Sequence, residues 1–295
     1  MRLSPLLIAT IALPLAACGP LAGNGGRPTV VASIYPLAFV AGQVAGPDAS
    51  VTLVTPAGVE PHEFEPTPGQ IVAAVGADLL LWNGGGIDAW SERILPDRQA
   101  SARLSAGLLE TVGSPLNEGS AVDPHVWLDP SRLKTYANAV AVALGKIDPD
   151  HATDYSARAT ELQNKLTALD TQFRTGLMEC EGNSIIVAHD AFGYLGARYK
   201  LEIHALAGLS PEEEPSPATI AALHDLAEQK NLADIFAESL TDSGTVRALA
   251  ADLGGQARVL DPLEGLTTEN QAAGKDYLSI MRDNLAALRL SLKCL

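Results

Sequence analysis

Apolar positions along this chain keep two rhythms that take turns. Short β-rich runs at Thr29–Ser33, Val51–Val54 and Leu79–Asn83 alternate with stretches of helical character at Tyr35–Val44, Pro68–Val75 and Ile87–Leu95. Beyond residue 180 the grammar repeats. Strands are predicted at Ser184–Ala188, Glu202–Leu206, Asp234–Ala237 and Arg258–Leu260, and helices at Ala191–Leu195, Pro217–Gln229, Ser243–Leu253 and Ala272–Leu292. Strict alternation of this kind indicates βα units around parallel sheets, because a strand reaches a parallel neighbour only through a crossover connection. Between the two blocks Tyr155, Ala159, Leu162, Leu166, Leu169, Phe173 and Leu177 recur at spacings of three and four. They form one apolar stripe on a helix predicted from about Asp148 to Glu179. The stripe is too short for an extended coiled coil and adjoins lobes whose faces need cover. The expected class is therefore α/β, with lobes at 29–147 and 180–295 flanking a helical segment at 148–179. At 295 residues two such lobes are expected rather than one oversized core.

The first residues change the picture of where this fold works. Arg2, an apolar stretch from Leu3 to Leu15 broken by Pro14, and Leu15-Ala16-Ala17-Cys18 read as an export signal over 1–17, too short to remain as a membrane span. Leu-Ala-Ala-Cys also resembles a bacterial lipobox, which makes Cys18 a lipidation site and residues 18–28 a flexible tether. An ordinary cleaved leader is the competing reading. In either case the protein is extracytoplasmic, so Cys180 and Cys294 are free to pair in an oxidising compartment, and a disulfide between them is expected over two buried thiols.

Charge narrows the partners. There are 35 acidic against 20 basic side chains, a net −15 that becomes −16 when residues 1–17, with one arginine and no acid, are removed. Such a field favours cations and disfavours nucleic acid or anionic lipid surfaces. No basic patch and no Gly-Lys-Ser/Thr phosphate loop occurs in the chain.

Candidate chemistry lies in four separated segments. His62 stands in Pro61-His62-Glu63-Phe64, His125 in Asp123-Pro124-His125-Val126-Trp127, His189 in Ala188-His189-Asp190 and Asp261 in Leu260-Asp261-Pro262. Three imidazoles and one carboxylate fill a tetrahedral Zn²⁺ shell and leave no open position for chemistry, which points to binding rather than catalysis. On the predicted elements His62, His189 and Asp261 sit at or just after strand ends, where open α/β sheets place their ligands, while His125 lies in a Pro-bounded loop before the helix starting near Pro130, so the metal is expected in the cleft between lobes. Asp190, Glu214 and Glu238 are candidates to orient the ligands, and Glu60, Glu63 and Glu65 flank His62 as a solvated rim or an alternative ligand. Trp127 is expected to pack beside the site. His151, His204 and His224 lack comparable surroundings.

The segments Val59–Pro68, Asp123–Pro130, Ala188–Tyr194 and Val259–Leu263 resemble, in order, the metal-site segments of the zinc/manganese substrate-binding proteins of bacterial ABC importers, ZnuA-like and TroA-like. Pro211–Pro217 and Tyr277–Leu285 resemble that family too. The resemblance runs from about Thr29 to the C-terminus. It implies one long helix fastening the two lobes, capture of a metal ion outside the inner membrane, and delivery to an ABC permease by a lipid-anchored monomer. Manganese members commonly carry glutamate at the third histidine, and His189 here favours Zn²⁺ over Mn²⁺. The histidine-rich loop of many zinc members has no counterpart in Leu108–Val122. Two rival functions remain. A zinc hydrolase requires an open ligand position and a general base, and no His-Glu-x-x-His segment is present; an adhesin does not require the ligands at all.

Overall fold

The computed structural model describes residues 26–113, 116–118, 121–241 and 243–295. The leader, Cys18 and most of the tether lie outside these residues. In the first lobe β1 (Thr29–Ala32) leads through α1 (Tyr35–Ala45) to β2 (Ser50–Leu53), then through α2 (Pro68–Gly76) to β3 (Leu79–Trp82), and through α3 (Ala89–Ala100) to β4 (Leu104–Gly107). All pairings are parallel, in the order β2-β1-β3-β4. The strand β4 is not legible in the sequence pattern because Leu-Ser-Ala-Gly carries no β-rich run. Its Gly107 is required where it is, since a Cβ there would stand 2.7 Å from the Trp82 ring.

Helix α4 (Leu108–Val112) and a short antiparallel pair, β5 (Asn117–Glu118) with β6 (Ala121–Val122), lead to α5 (Pro130–Ile147) and α6 (Ala152–Gly176). The second lobe runs β7 (Ser184–His189), α7 (Gly193–Tyr199), β8 (Glu202–Ala207), α8 (Pro217–Lys230), β9 (Ile235–Ala237), α9 (Gly244–Asp252) and β10 (Ala257–Val259), with parallel strands ordered β10-β9-β7-β8. It closes with α10 (Thr268–Ala272) and α11 (Tyr277–Ser291). The sequence pattern predicts one helix over Ala272–Leu292 and leaves α10 unmarked. The two helices are separate because Gly274 turns left-handed at φ 68° and Asp276 starts α11 with its own capping box to Ser279.

Period-two burial assigns each strand face to a layer. Val30, Ala32, Leu79 and Leu81 of the first sheet and Ile185 and Val187 of the second face one shared core filled by α1, α5, α6 and α11. The alternate residues Val31 and Leu80 pack outward against Trp90 and Ile94, and Ile186 packs outward against Leu223 and Val246. In α6 the residues Tyr155, Ala159, Leu162, Leu166, Leu169 and Phe173 are all buried in the shared core. The helix stops at Gly176, so Leu177 lies just beyond it, and α5 packs along its side. Asp170 of α6 binds Arg198 of α7 at 2.9 Å, and Arg198 also stands 3.6 Å from Asp129, the N-cap of α5. Cys180 and Cys294 form a disulfide that ties the exit of α6 to the C-terminus. Among the described residues no helix is long and apolar enough to cross a membrane.

Candidate metal centre

Each sheet reverses its strand order once, beside β1 and β3 in one lobe and beside β7 and β9 in the other, and this is where a crevice opens at the strand carboxyl ends. His62 comes from the long loop between β2 and α2, where Glu60 accepts its backbone N–H at 2.9 and 3.1 Å. His125 comes from the segment before α5. That segment leans on the end of β3, because Asn83 Nδ2 donates to the Pro124 carbonyl at 2.9 Å. Asn83 is in turn fixed by buried Asp88, which accepts the backbone N–H groups of Asn83 and Gly84 and the Ser33 hydroxyl. His189 is the last residue of β7, and its switch-point neighbour after β9 is Glu238.

The fourth member of the cluster is Glu264, not Asp261. The three histidine Nε2 atoms converge on Glu264 Oε1, at 3.4 Å from His62, 2.9 Å from His125 and 3.2 Å from His189. His125 and His189 Nε2 are 3.3 Å apart, and all four ligand atoms lie within 4.8 Å of one another. A tetrahedral ion with bonds of about 2.0–2.1 Å separates its ligand atoms by about 3.3 Å, so these spacings match the edges of such a shell. His62 Nε2 gives a second sign. The atom is buried and, apart from its 3.4 Å approach to Glu264, has no hydrogen-bond partner among the described residues, which is unusual for a polar atom in a protein interior.

The outer nitrogens are held as ligand histidines require. His125 Nδ1 meets Asp123 Oδ1 at 2.9 Å, and His189 Nδ1 meets Glu238 Oε1 at 2.5 Å, which leaves each Nε2 facing the cluster. Glu238 also accepts the His189 backbone N–H at 3.1 Å. Burial pulls the His125 imidazole down, but hydrogen bonds accepted by the Asp123 and Glu264 carboxylates outweigh it and leave its pKa raised. For His189 burial is likewise overcome, by Glu238 and Glu264, and the pKa rises to about 10. Glu264 is buried, which favours the neutral acid, yet the three imidazoles hold its carboxyl well below the usual range.

Asp261 is close by and differently employed. Its Oδ1 accepts the Leu263 N–H and its Oδ2 the Ser239 hydroxyl, both at 2.8 Å, while Asn284 of α11 brackets its backbone N–H and carbonyl. The result is a tight turn in which Leu263 adopts a left-handed φ of 60° and Glu264 is aimed into the cleft. Asp-Pro-Leu-Glu-Gly held the signal: an Asx-type turn occupies the aspartate and frees the carboxylate three residues on.

Of the other candidates, Glu238 reaches a histidine of the cluster. Asp190 makes no hydrogen bond to an imidazole and lines a shallow pocket with exposed Glu214, and the contact to His125 is made by Asp123 instead. Burial, then proximity to Glu264, raises the Glu60 carboxyl to about 8. Glu65 pairs with Arg93 on the surface at 2.9 Å. Trp127 lies edge-on to His125 with ring centroids 5.4 Å apart. His151 bonds Asp148, His204 lies in the edge strand β8, and His224 with Asp225 and Glu228 forms a solvated helix face.

Two doubly wound lobes sharing one core, with a cation-liganding cluster between their strand ends, define a two-lobed metal-ion-binding receptor. The model of the family described as zinc-uptake complex component A, periplasmic, matches residues 30–290, and the chain belongs to this family. It is 34% identical to the high-affinity zinc uptake system protein ZnuA of Bacillus subtilis, over 97% of this chain and 96% of that one. It is 32% identical to the zinc-binding lipoprotein AdcA of Streptococcus pneumoniae, over 98% of this chain and 60% of that longer one. The crystal structure of the Zn(II)-bound ZnuA-like domain of S. pneumoniae AdcA superimposes with a TM-score of 0.80 at 32% identity, covering 90% of this chain and 99% of that one.

Proposed function

We propose that the protein captures Zn²⁺ outside the cytoplasmic membrane through His62, His125, His189 and Glu264 and hands it to an ABC permease. The observation that carries this reading is the convergence of three imidazole Nε2 atoms and one carboxylate oxygen at 2.9–3.4 Å. Zinc is the cargo. Nitrogen donors outnumber oxygen three to one, which suits Zn²⁺ and is poor for the harder Mn²⁺. With Glu264 as fourth ligand the shell is closed, so the site is one for binding and release rather than hydrolysis. The ZnuA and AdcA relatives support a role as the receptor of an importer. Lipid attachment at Cys18, a monomeric state and lobes divided at 29–147, 148–179 and 180–295 complete the proposal.

Protein purified without added metal and titrated with Zn²⁺ should bind one ion per chain. It should melt later, since an ion that binds only the folded state stabilises it by about 4 kcal/mol at a thousandfold excess over Kd. No thermal shift and no bound zinc at neutral pH would sink the proposal.

A further inference from the structure

The stretch Asp123–Trp127 belongs by connectivity to the first lobe, yet its first and last carbonyls and the Trp127 indole are bonded to the second. Tyr194 of α7 donates from its hydroxyl to the Asp123 carbonyl at 3.1 Å, and Tyr277 of α11 donates to the Trp127 carbonyl at 2.7 Å. The Trp127 indole N–H donates to the Pro262 carbonyl at 2.7 Å. Trp127 is fully buried, and its ring packs edge-on against His125. One side chain therefore touches a ligand imidazole from one lobe and fixes the backbone two residues before the ligand carboxylate from the other.

The turn carrying Glu264 needs such a fastening. Leu263 is held left-handed, a conformation that costs a non-glycine residue energy and persists only where its surroundings impose it. Asp261 closes the turn from inside. On the far side of Glu264, the Leu266 carbonyl accepts the Gly58 N–H of the first lobe at 2.7 Å. The Glu264 carbonyl accepts the Tyr35 N–H at 3.4 Å, and on the near side the Pro262 carbonyl is fixed by Trp127. We propose that Trp127 is a positioning residue for zinc, setting the 2.9 Å approach of Glu264 to His125. This rests on the proposed zinc site.

Trp127→Phe keeps an aromatic ring against His125 and removes the indole N–H. Zinc affinity, measured by chelator competition, should fall about 10- to 100-fold, the range for groups that orient metal ligands. A merely structural tryptophan would lower the melting point of the metal-free protein and leave affinity alone. The decisive measurement is the cycle with Glu264→Gln. If Trp127 acts by placing Glu264, Trp127→Phe should change affinity less than about threefold in the Glu264→Gln background. Unchanged affinity of Trp127→Phe, or an equal penalty in both backgrounds, overturns the inference. Should Trp127→Phe fail to fold, Tyr277→Phe, which frees the Trp127 carbonyl from the second lobe, is carried through the same cycle, where the same two results overturn it. Wild-type protein that binds no zinc would refute the site itself, a result distinct from either.

Discussion

Replacing Glu264 with glutamine, and Asp261 with asparagine, separates the two carboxylates that sit three residues apart in one turn. Glu264→Gln keeps the shape of the side chain but removes the anionic donor on which all three Nε2 atoms converge at 2.9–3.4 Å. Structural four-ligand zinc sites are worth about 10–16 kcal/mol at neutral pH, or roughly 2.5–4 kcal/mol for each ligand. That corresponds to a loss of about 100- to 1000-fold in zinc affinity. The loss should fall toward the lower end, because Glu264 also helps keep His125 and His189 protonated, and its removal weakens the competing protons. Asp261→Asn retains an acceptor for the Leu263 N–H and disturbs one bond to Ser239. It should cost about 1–2 kcal/mol of stability, a melting point lower by several degrees, and less than tenfold in affinity. Competition titration against a chelator at fixed pH, with thermal melts of the metal-free proteins, measures both effects. If Glu264→Gln binds zinc within threefold of wild type while Asp261→Asn loses binding, the assignment of the fourth ligand is wrong.

In the metal-free protein the pKa of His189 is raised to about 10 from about 6.5; its contribution to stability is complete below pH 6.5 and is lost as pH rises through 10. Zinc must displace that proton, so between pH 6.5 and 10 zinc affinity should rise while metal-free stability falls, and parallel titrations and melts that move together would contradict this. His189→Glu should raise Mn²⁺ binding relative to Zn²⁺ by exchanging a nitrogen donor for a hard anionic oxygen, and an unchanged ratio in two-metal competition would remove His189 from the shell. Cys294→Ser opens the disulfide to Cys180, which closes a separation of 114 residues; stability should fall by about 2–4 kcal/mol with zinc affinity retained, and a melting point equal to wild type would show the bridge contributes nothing.

Much of the fold and of the site is legible in sequence because it depends on local chemistry. The alternation of strand and helix, the α6 stripe and the three histidines each rest on residues close together in the chain. The rest is set by distant neighbours. The strand β4 forms because β3 offers a free edge and Gly107 clears the Trp82 ring, a fact visible only once both strands are adjacent. Asp261 resembles a ligand because its type and position suit one. Only the turn, with its bonds to Leu263 and Ser239, shows that its oxygens are already engaged and that Glu264 is the carboxylate facing the three histidines. Asp190 next to His189 is a reasonable orienting partner by sequence, but strand geometry points consecutive side chains to opposite faces, and Glu238 from the neighbouring strand end makes the contact.

The four cluster residues come from loops and strand ends between residues 62 and 264, and no two share a helical turn or a hairpin. The unfolded chain therefore carries no preassembled zinc trap, unlike a protein built on a close-spaced finger motif. The capacity to retain a metal ion arrives only when both lobes have folded against each other, so it is a property of the finished fold and of no segment by itself.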